Sequence, residues 1–165
     1  MRQRALAATL CTGLLLPMAG AADALPPSLC GAQEGLVFAC SVGGGKHLSL
    51  CGVPPATLQY RFGTAARTEL AFPADAADGV RRLRLAHYQR AQVERTEINF
   101  SIGDIDYTVF DDTRGGRRRA GVAVQREGQP EQQLPCRGRI SGALLPLKPH
   151  LPCDAESALQ GGSCR

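Results

Sequence analysis

Along most of the chain, apolar and polar residues alternate. Leu58, Tyr60 and Phe62 are interleaved with Gln59 and Arg61. A turn candidate, Gly63-Thr64-Ala65-Ala66, separates them from Leu70 and Phe72, and Pro73 stops the run. Leu83 and Leu85 alternate with Arg82, Arg84 and Ala86; Thr96, Ile98, Phe100 and Ile102 then share one face, with Arg95, Glu97 and Asn99 on the other. Gly103-Asp104 reads as a hairpin turn into Ile105, Tyr107 and Val109. Val122 and Val124 alternate further on, and Gly128-Gln129-Pro130 turns the chain before Leu134. Period two in many short runs, punctuated by turn residues, predicts antiparallel strands and no long helix. The expected fold is all-β: an antiparallel meander forming a small barrel or a sandwich, stapled by disulfides and finished by a Pro-rich C-terminal wrap after Cys136. Ala74 to Gly79 reads as a loop with room for one helical turn. Val80 to Val93 is rich in Arg, Ala and Gln, which suits helix as well, but the Leu83/Leu85 alternation favours strand. Asp154 is placed to N-cap a terminal helical turn.

The first residues break this pattern. Arg2 and Arg4 precede an apolar stretch from Ala5 to about Met18, and Ala19-Gly20-Ala21 or Ala22-Asp23-Ala24 supplies small residues for cleavage. This is the arrangement of a secretory signal. Residues 1–24 are read as a cleaved signal peptide and 25–165 as a single β-rich domain, periplasmic or secreted. The apolar run is shorter than the roughly 20 residues of a spanning helix. No membrane span is expected in the mature chain.

Composition changes the picture little. There is no Trp, aromatics are 5%, Gly (19) and Pro (11) favour turns, and the net charge is +4. Such a charge permits, without requiring, attraction to anionic glycans, lipopolysaccharide or nucleic acid.

Cysteine matters more. Once Cys11 leaves with the signal, Cys30, Cys40, Cys51, Cys136, Cys153 and Cys164 remain, an even set in an exported chain and so a disulfide framework. The stretch from Cys40 to Cys51 contains Gly43-Gly44-Gly45-Lys46. Its spacing is wrong for a zinc knuckle or a redox C-x-x-C, and an alternating Leu48-Ser49-Leu50 follows in place of a phosphate loop's helix. With the turn on Gly45-Lys46, Gly44 faces His47, Val42 faces Ser49, and Cys40 faces Cys51. That register predicts a Cys40–Cys51 staple.

Several of these segments together resemble a family of small exported proteins of Gram-negative bacteria whose function is uncharacterised: Cys40…Cys51, "LQYRFG" (58–63), "RTEINFSIG" (95–103), "YTVFDD" (107–112), Cys136-Arg137-Gly138 and "LPCDAES" (151–157). The resemblance covers most of the mature chain. It implies an exported, disulfide-bearing β domain and carries no activity with it. Cys30 and Cys164 lie outside the matching region, which implies Cys30–Cys164 as a pair and leaves Cys136–Cys153 to complete the set.

Chemistry is sparse. His47, His87 and His150 are scattered, and histidines so placed are usually structural or solvent-facing. No metal-ligand spacing, serine elbow or cofactor motif is present, and bridged cysteines would leave no thiol nucleophile. Asp104, Asp106, Asp111 and Asp112 form the densest acidic group; paired carboxylates can serve glycoside hydrolysis or bind calcium, but turn flanks and charge balance explain them equally well. "RGGRRR" (114–119) is the sharpest surface feature, with Arg114, Arg117, Arg118 and Arg119 expected on one exposed loop. Arginine forks suit phosphate and carboxylate, whereas base stacking lacks its interleaved aromatics. The expectation is a non-catalytic envelope domain, without cofactor or metal, that binds a protein or an anionic envelope component through these arginines, with no specific nucleic-acid partner. Inhibition of a host hydrolase such as lysozyme is the alternative, loosely echoed in Ser101, Gly103 and Tyr107. A small hydrolase using the Asp group and a histidine ranks third.

Overall fold

The computed structural model describes residues 27–162 and Cys164; the signal peptide read over 1–24 lies outside the described residues. Two antiparallel five-stranded sheets face each other. The first is ordered β10-β1-β2-β3-β4, from β1 (Leu36–Gly43), β2 (Lys46–Cys51), β3 (Gln59–Thr64), β4 (Arg67–Phe72) and β10 (Arg137–Gly142). The second is a pure meander of β5 (Arg84–Arg90), β6 (Val93–Ile102), β7 (Ile105–Arg114), β8 (Arg117–Arg126) and β9 (Gln132–Pro135). The sheets do not close into one barrel, so the fold is a sandwich. Between β4 and β5 a 3₁₀ turn (Ala76–Asp78) and a single turn α1 (Gly79–Arg82) carry the chain across. The stretch from Val80 to Val93, expected as strand, is strand only over Arg84–Arg90 and at Val93, where β6 begins: Val80 to Arg82 lie in α1 and Leu83 is its C-cap.

The alternating apolar positions form the core. In the first sheet Phe38, Leu50, Tyr60 and Phe72 align in one inward row, and Cys40, Leu48, Phe62 and Leu70 in the next. They meet Leu85, Ile98, Val109 and Val122 of the second sheet. Burial of such side chains is worth about 1.5–3 kcal/mol each. At one end Phe72 stacks on Phe100 with ring centroids 4.6 Å apart, and Phe100 on Tyr107 at 5.0 Å. The Arg82 guanidinium caps the Phe72 ring at 4.7 Å. This stack bridges the two sheets where the sandwich opens.

Among the described residues there are three disulfides, and none of the three expected pairings is among them: the bonds are Cys30–Cys51, Cys40–Cys136 and Cys153–Cys164. Cys40–Cys51 fails on register. The hairpin turns on Gly44-Gly45, both at positive φ (59° and 69°), and β1 carries irregularities, so Cys40 faces Leu48 and Cys51 faces Leu36. Cys40 therefore points into the core and Cys51 out of it, since a shift of register moves a side chain to the other face. Cys40 meets Cys136 where the chain leaves β9 for β10. Cys51 meets Cys30 on the outer face of the first sheet. Cys30–Cys164 fails because its members lie against opposite sheets, and Cys136–Cys153 because Cys153 bridges to Leu85 at the edge of β5.

Cys30–Cys51 ties down the N-terminal segment. Leu29 N–H donates to Ser49 Oγ (3.0 Å), and Arg61 forms a two-pronged pair with Glu34, both contacts 2.6 Å. The Arg61 fork and the Gly31 N–H hold the Glu34 carboxyl below its ordinary range. The C-terminal wrap covers the opposite side. Leu144 and Leu147 are buried around a 3₁₀ turn (Leu145–Leu147), and Leu85 exchanges backbone bonds with Pro152 and Asp154, capping the free edge of β5. The terminal turn is a 3₁₀ turn (Ala158–Gln160) capped by Ser157, not by Asp154. Asp154 is instead buried and accepts from Asn99 Nδ2 at 2.8 Å.

Candidate functional site

The meander of the second sheet decides where its arginines go. Its register puts Tyr88, Arg95, Asp112 and Arg119 in one transverse row on the outer face, and Arg90, Val93, Arg114 and Arg117 in the row beside it. Neighbouring strands lie about 4.8 Å apart and successive same-face residues about 7 Å. Arg95, Arg114, Arg117 and Arg119 thus surround one carboxylate, Asp112, with Arg90 at the β5 end of the second row. A hollow of about 220 Å³ opens between Val93, Arg95, Asp112, Arg114, Arg117 and Arg119.

The expected exposed arginine loop is only partly what forms. Gly115-Gly116 makes a two-residue turn at positive φ (54° and 77°), and Arg117, Arg118 and Arg119 lie within β8. Strand alternation then separates them. Arg118 points to the inner face, where its Nε and Nη2 donate to both oxygens of Asp111 (2.7 and 2.8 Å) and Nη2 also reaches the Gly142 carbonyl (2.8 Å). It is a structural clamp between β8 and the end of β10. Arg114, Arg117 and Arg119 remain on the outer face. Arg95, which the sequence reading did not single out, takes the place of Arg118. Period two would have found it: Arg95 opposes Asp112 once the Gly103-Asp104 turn sets the β6–β7 register.

Asp112 lies between Arg95 (Nε to Oδ2, 3.4 Å) and Arg119 and is half-buried, and its Oδ1 is buried without a hydrogen-bond partner. Burial raises its pKa; Arg95 and Arg119 oppose that rise. In the next row Glu97 sits 3.5 Å from Arg95 and accepts from Ser157 Oγ at 3.4 Å. Its pKa is raised, by burial first, against the pull of Arg95.

The four aspartates are not brought together. Asp104 and Asp106 lie at the β6–β7 turn, at the far end of the strands from Asp111 and Asp112, and the latter two point to opposite faces. His87 is on the inner face beside Glu94 (3.4 Å) and Lys148 (3.3 Å), remote from Asp106. His47 is buried with Nδ1 3.2 Å from Ser41 Oγ, and His150 is exposed. Among the described residues no group of three or more His, Cys, Asp or Glu side chains could hold a metal ion. Ser101 donates to Asp106 (2.5 Å), Gly103 occupies the turn, and the Tyr107 ring lies against Phe100. No helix among the described residues is long and apolar enough to cross a membrane.

Comparison with protein-family models, curated proteins and solved structures finds no match.

Proposed function

We propose that this chain is an exported, non-catalytic binding domain of the periplasm or the secreted medium, and that it holds an anionic component of the cell envelope on the outer face of its second sheet. The observation that carries the reading is the two-row array of Arg95, Arg119, Arg114 and Arg117, with Arg90 beside it and Asp112 as the one carboxylate within it. Arginine forks on adjacent strands match phosphate, sulfate or carboxylate oxygens two at a time. Arg114 and Arg117 are exposed and make no ion pair among the described residues. Three disulfides suit an oxidising compartment, where such bonds persist. The N-terminal leader reading and the resemblance to small exported Gram-negative proteins point the same way.

The test is titration of the oxidised mature protein with lipopolysaccharide and with polyphosphate at several salt concentrations. An arginine near an anionic surface contributes about 1 kcal/mol. Replacing Arg95, Arg117 and Arg119 together by Ser should weaken binding about a hundredfold and flatten its salt dependence. Binding that is unchanged in this variant, or absent from the parent, overturns the reading.

A further inference from the structure

The arginine rows occupy one end of the outer face. At the other end lies a larger cleft of about 580 Å³, between the outer face of β5–β7, the Arg81–Arg82 turn and the C-terminal wrap. Its wall is mixed. Acceptors come from Glu97, Asp106 and Asp154, and from Asn99 Oδ1, which is buried and has no hydrogen-bond partner. Donors come from Arg84 and Thr108, while the Ser157 hydroxyl is already given to Glu97; Phe100 and Tyr107, whose rings belong to the inward stack, also line it. The register explains the mixture: Arg84, Asn99 and Thr108 form one transverse row, one step beyond Glu97.

This composition selects among ligands. A phosphate or carboxylate in the cleft would meet Glu97, Asp106, Asp154 and Glu156. An ammonium would meet Arg81, Arg82 and Arg84. A hydroxyl group both donates and accepts, so a neutral, hydroxyl-rich ligand satisfies both halves of the wall and supplies the donor that Asn99 Oδ1 lacks. The cleft is also continuous with the arginine rows. Glu97 and Thr108 border both it and a middle hollow, and Arg95, Asp112 and Arg119 border that hollow and the arginine pocket.

We infer that the cleft is a saccharide subsite, and that the whole trough takes an acidic oligosaccharide, its sugar hydroxyls on Asn99, Thr108 and Arg84 and its anionic substituents on Arg95, Arg114, Arg117 and Arg119. This inference rests on the proposed anion-binding role of the arginine rows. It adds a demand for hydroxyl groups that a simple polyanion does not meet.

The experiment compares three probes on the oxidised mature protein by calorimetry and amide chemical-shift mapping: a sulfated octasaccharide, the neutral octasaccharide of the same backbone, and polyphosphate. The variants are Thr108→Val and Asn99→Leu for the cleft and Arg117→Ser/Arg119→Ser for the rows. The sulfated octasaccharide should shift amides in both regions. Thr108→Val, a surface change that leaves the sandwich packing alone, should weaken it about five- to tenfold, as expected for one hydrogen bond, and leave polyphosphate affinity unchanged. Asn99→Leu should do the same where its fold is intact by circular dichroism. Equal affinity for the sulfated octasaccharide and polyphosphate, with no effect of Thr108→Val, overturns the saccharide subsite and leaves the anion-binding reading standing. Binding of the neutral octasaccharide with shifts at Asn99 and Thr108, together with indifference to the arginine changes, supports the subsite and overturns the arginine reading. No binding of any probe overturns both.

Discussion

Replacing Cys40 and Cys136 together by Ala should be the most damaging of the three disulfide removals. This bond closes a segment of sequence separation 96, against 21 for Cys30–Cys51 and 11 for Cys153–Cys164. The chain-entropy relation gives about 4.7, 3.3 and 2.8 kcal/mol respectively at 25 °C. Position sharpens the contrast. Cys40 is fully buried between Leu48 and Ile140, so the double Ala variant also loses core contacts. Cys153–Cys164 lies wholly within the wrap, whose backbone pairing to β5 rests on Leu85, and its loss can free the tail without opening the sandwich. Urea titration of each double variant, followed by near-ultraviolet circular dichroism, measures the order. The Cys40/Cys136 variant should melt about 15 °C below the parent, on the usual entropy of unfolding for a domain of this size. Non-reducing peptide mapping gives the independent check. A Cys40–Cys51 peptide, or a Cys40/Cys136 variant that loses less stability than the Cys153/Cys164 one, would refute the topology and the reasoning with it.

Arg118→Ser and Arg119→Ser should separate structure from binding. The first leaves the Asp111 carboxylate, only 10% exposed, without its fork and should cost about 2 kcal/mol of stability; the second should leave the urea midpoint almost unchanged and weaken polyphosphate binding. Gly79→Ala should destabilise the fold by about 3 kcal/mol or more, because an added Cβ would stand 1.6 Å from the Leu58 carbonyl oxygen; thermal melts check it. Stability should peak at mildly acidic pH. Glu97 and Asp112 have pKa values raised by burial, so their charged forms cost stability at neutral pH, and that cost is relieved as pH falls through the raised values. Glu34, held low by Arg61, contributes stability above its unfolded value of 4.5 that is lost as pH falls through its folded value. Urea midpoints between about pH 3 and 8 should show this peak, and Glu97→Gln should flatten its neutral side; a steady decline from pH 8 downward would contradict it. The same protonation of Asp112 removes the negative charge set among Arg95, Arg114, Arg117 and Arg119, so polyphosphate affinity should rise as pH falls through the Asp112 value. A pH-independent affinity would contradict that.

The alternation of apolar and polar residues revealed the meander because Leu85, Ile98, Val109 and Val122 form one core-facing row across β5–β8, and the Gly103-Asp104 and Gly115-Gly116 turns fix the registers locally. It could not reveal the disulfides. Val42-Gly43-Gly44-Gly45-Lys46 admits more than one two-residue turn, and each choice sends Cys40 and Cys51 to different faces. Cys40–Cys136 depends on how β9 passes into β10, a contact between distant parts of the chain with no local signal. Sandwich and barrel likewise share one alternation pattern. The candidate site was half legible. Arg114, Arg117 and Arg119 stood out as a run, but a run hides the strand alternation that turns Arg118 inward, and Arg95 became visible only as the cross-strand partner of Asp112. The cleft combines β5–β7 with residues 154–158, which no sequence spacing connects.

The crossing of β9 into β10 at Cys136 also bears on survival among proteases. Each hairpin tip of the two sheets, at 44–45, 65–66, 91–92, 103–104, 115–116 and 127–128, falls between Cys40 and Cys136. Exposed tips are the preferred places for nicking. A single cut at any of them, the glycine pair beside the arginine rows included, leaves both fragments covalently joined through Cys40–Cys136. The nicked molecule retains all of its strands and both ends of the trough, so in a protease-rich environment cleavage at a tip would change its electrophoretic pattern under reduction long before it changed what the domain can hold.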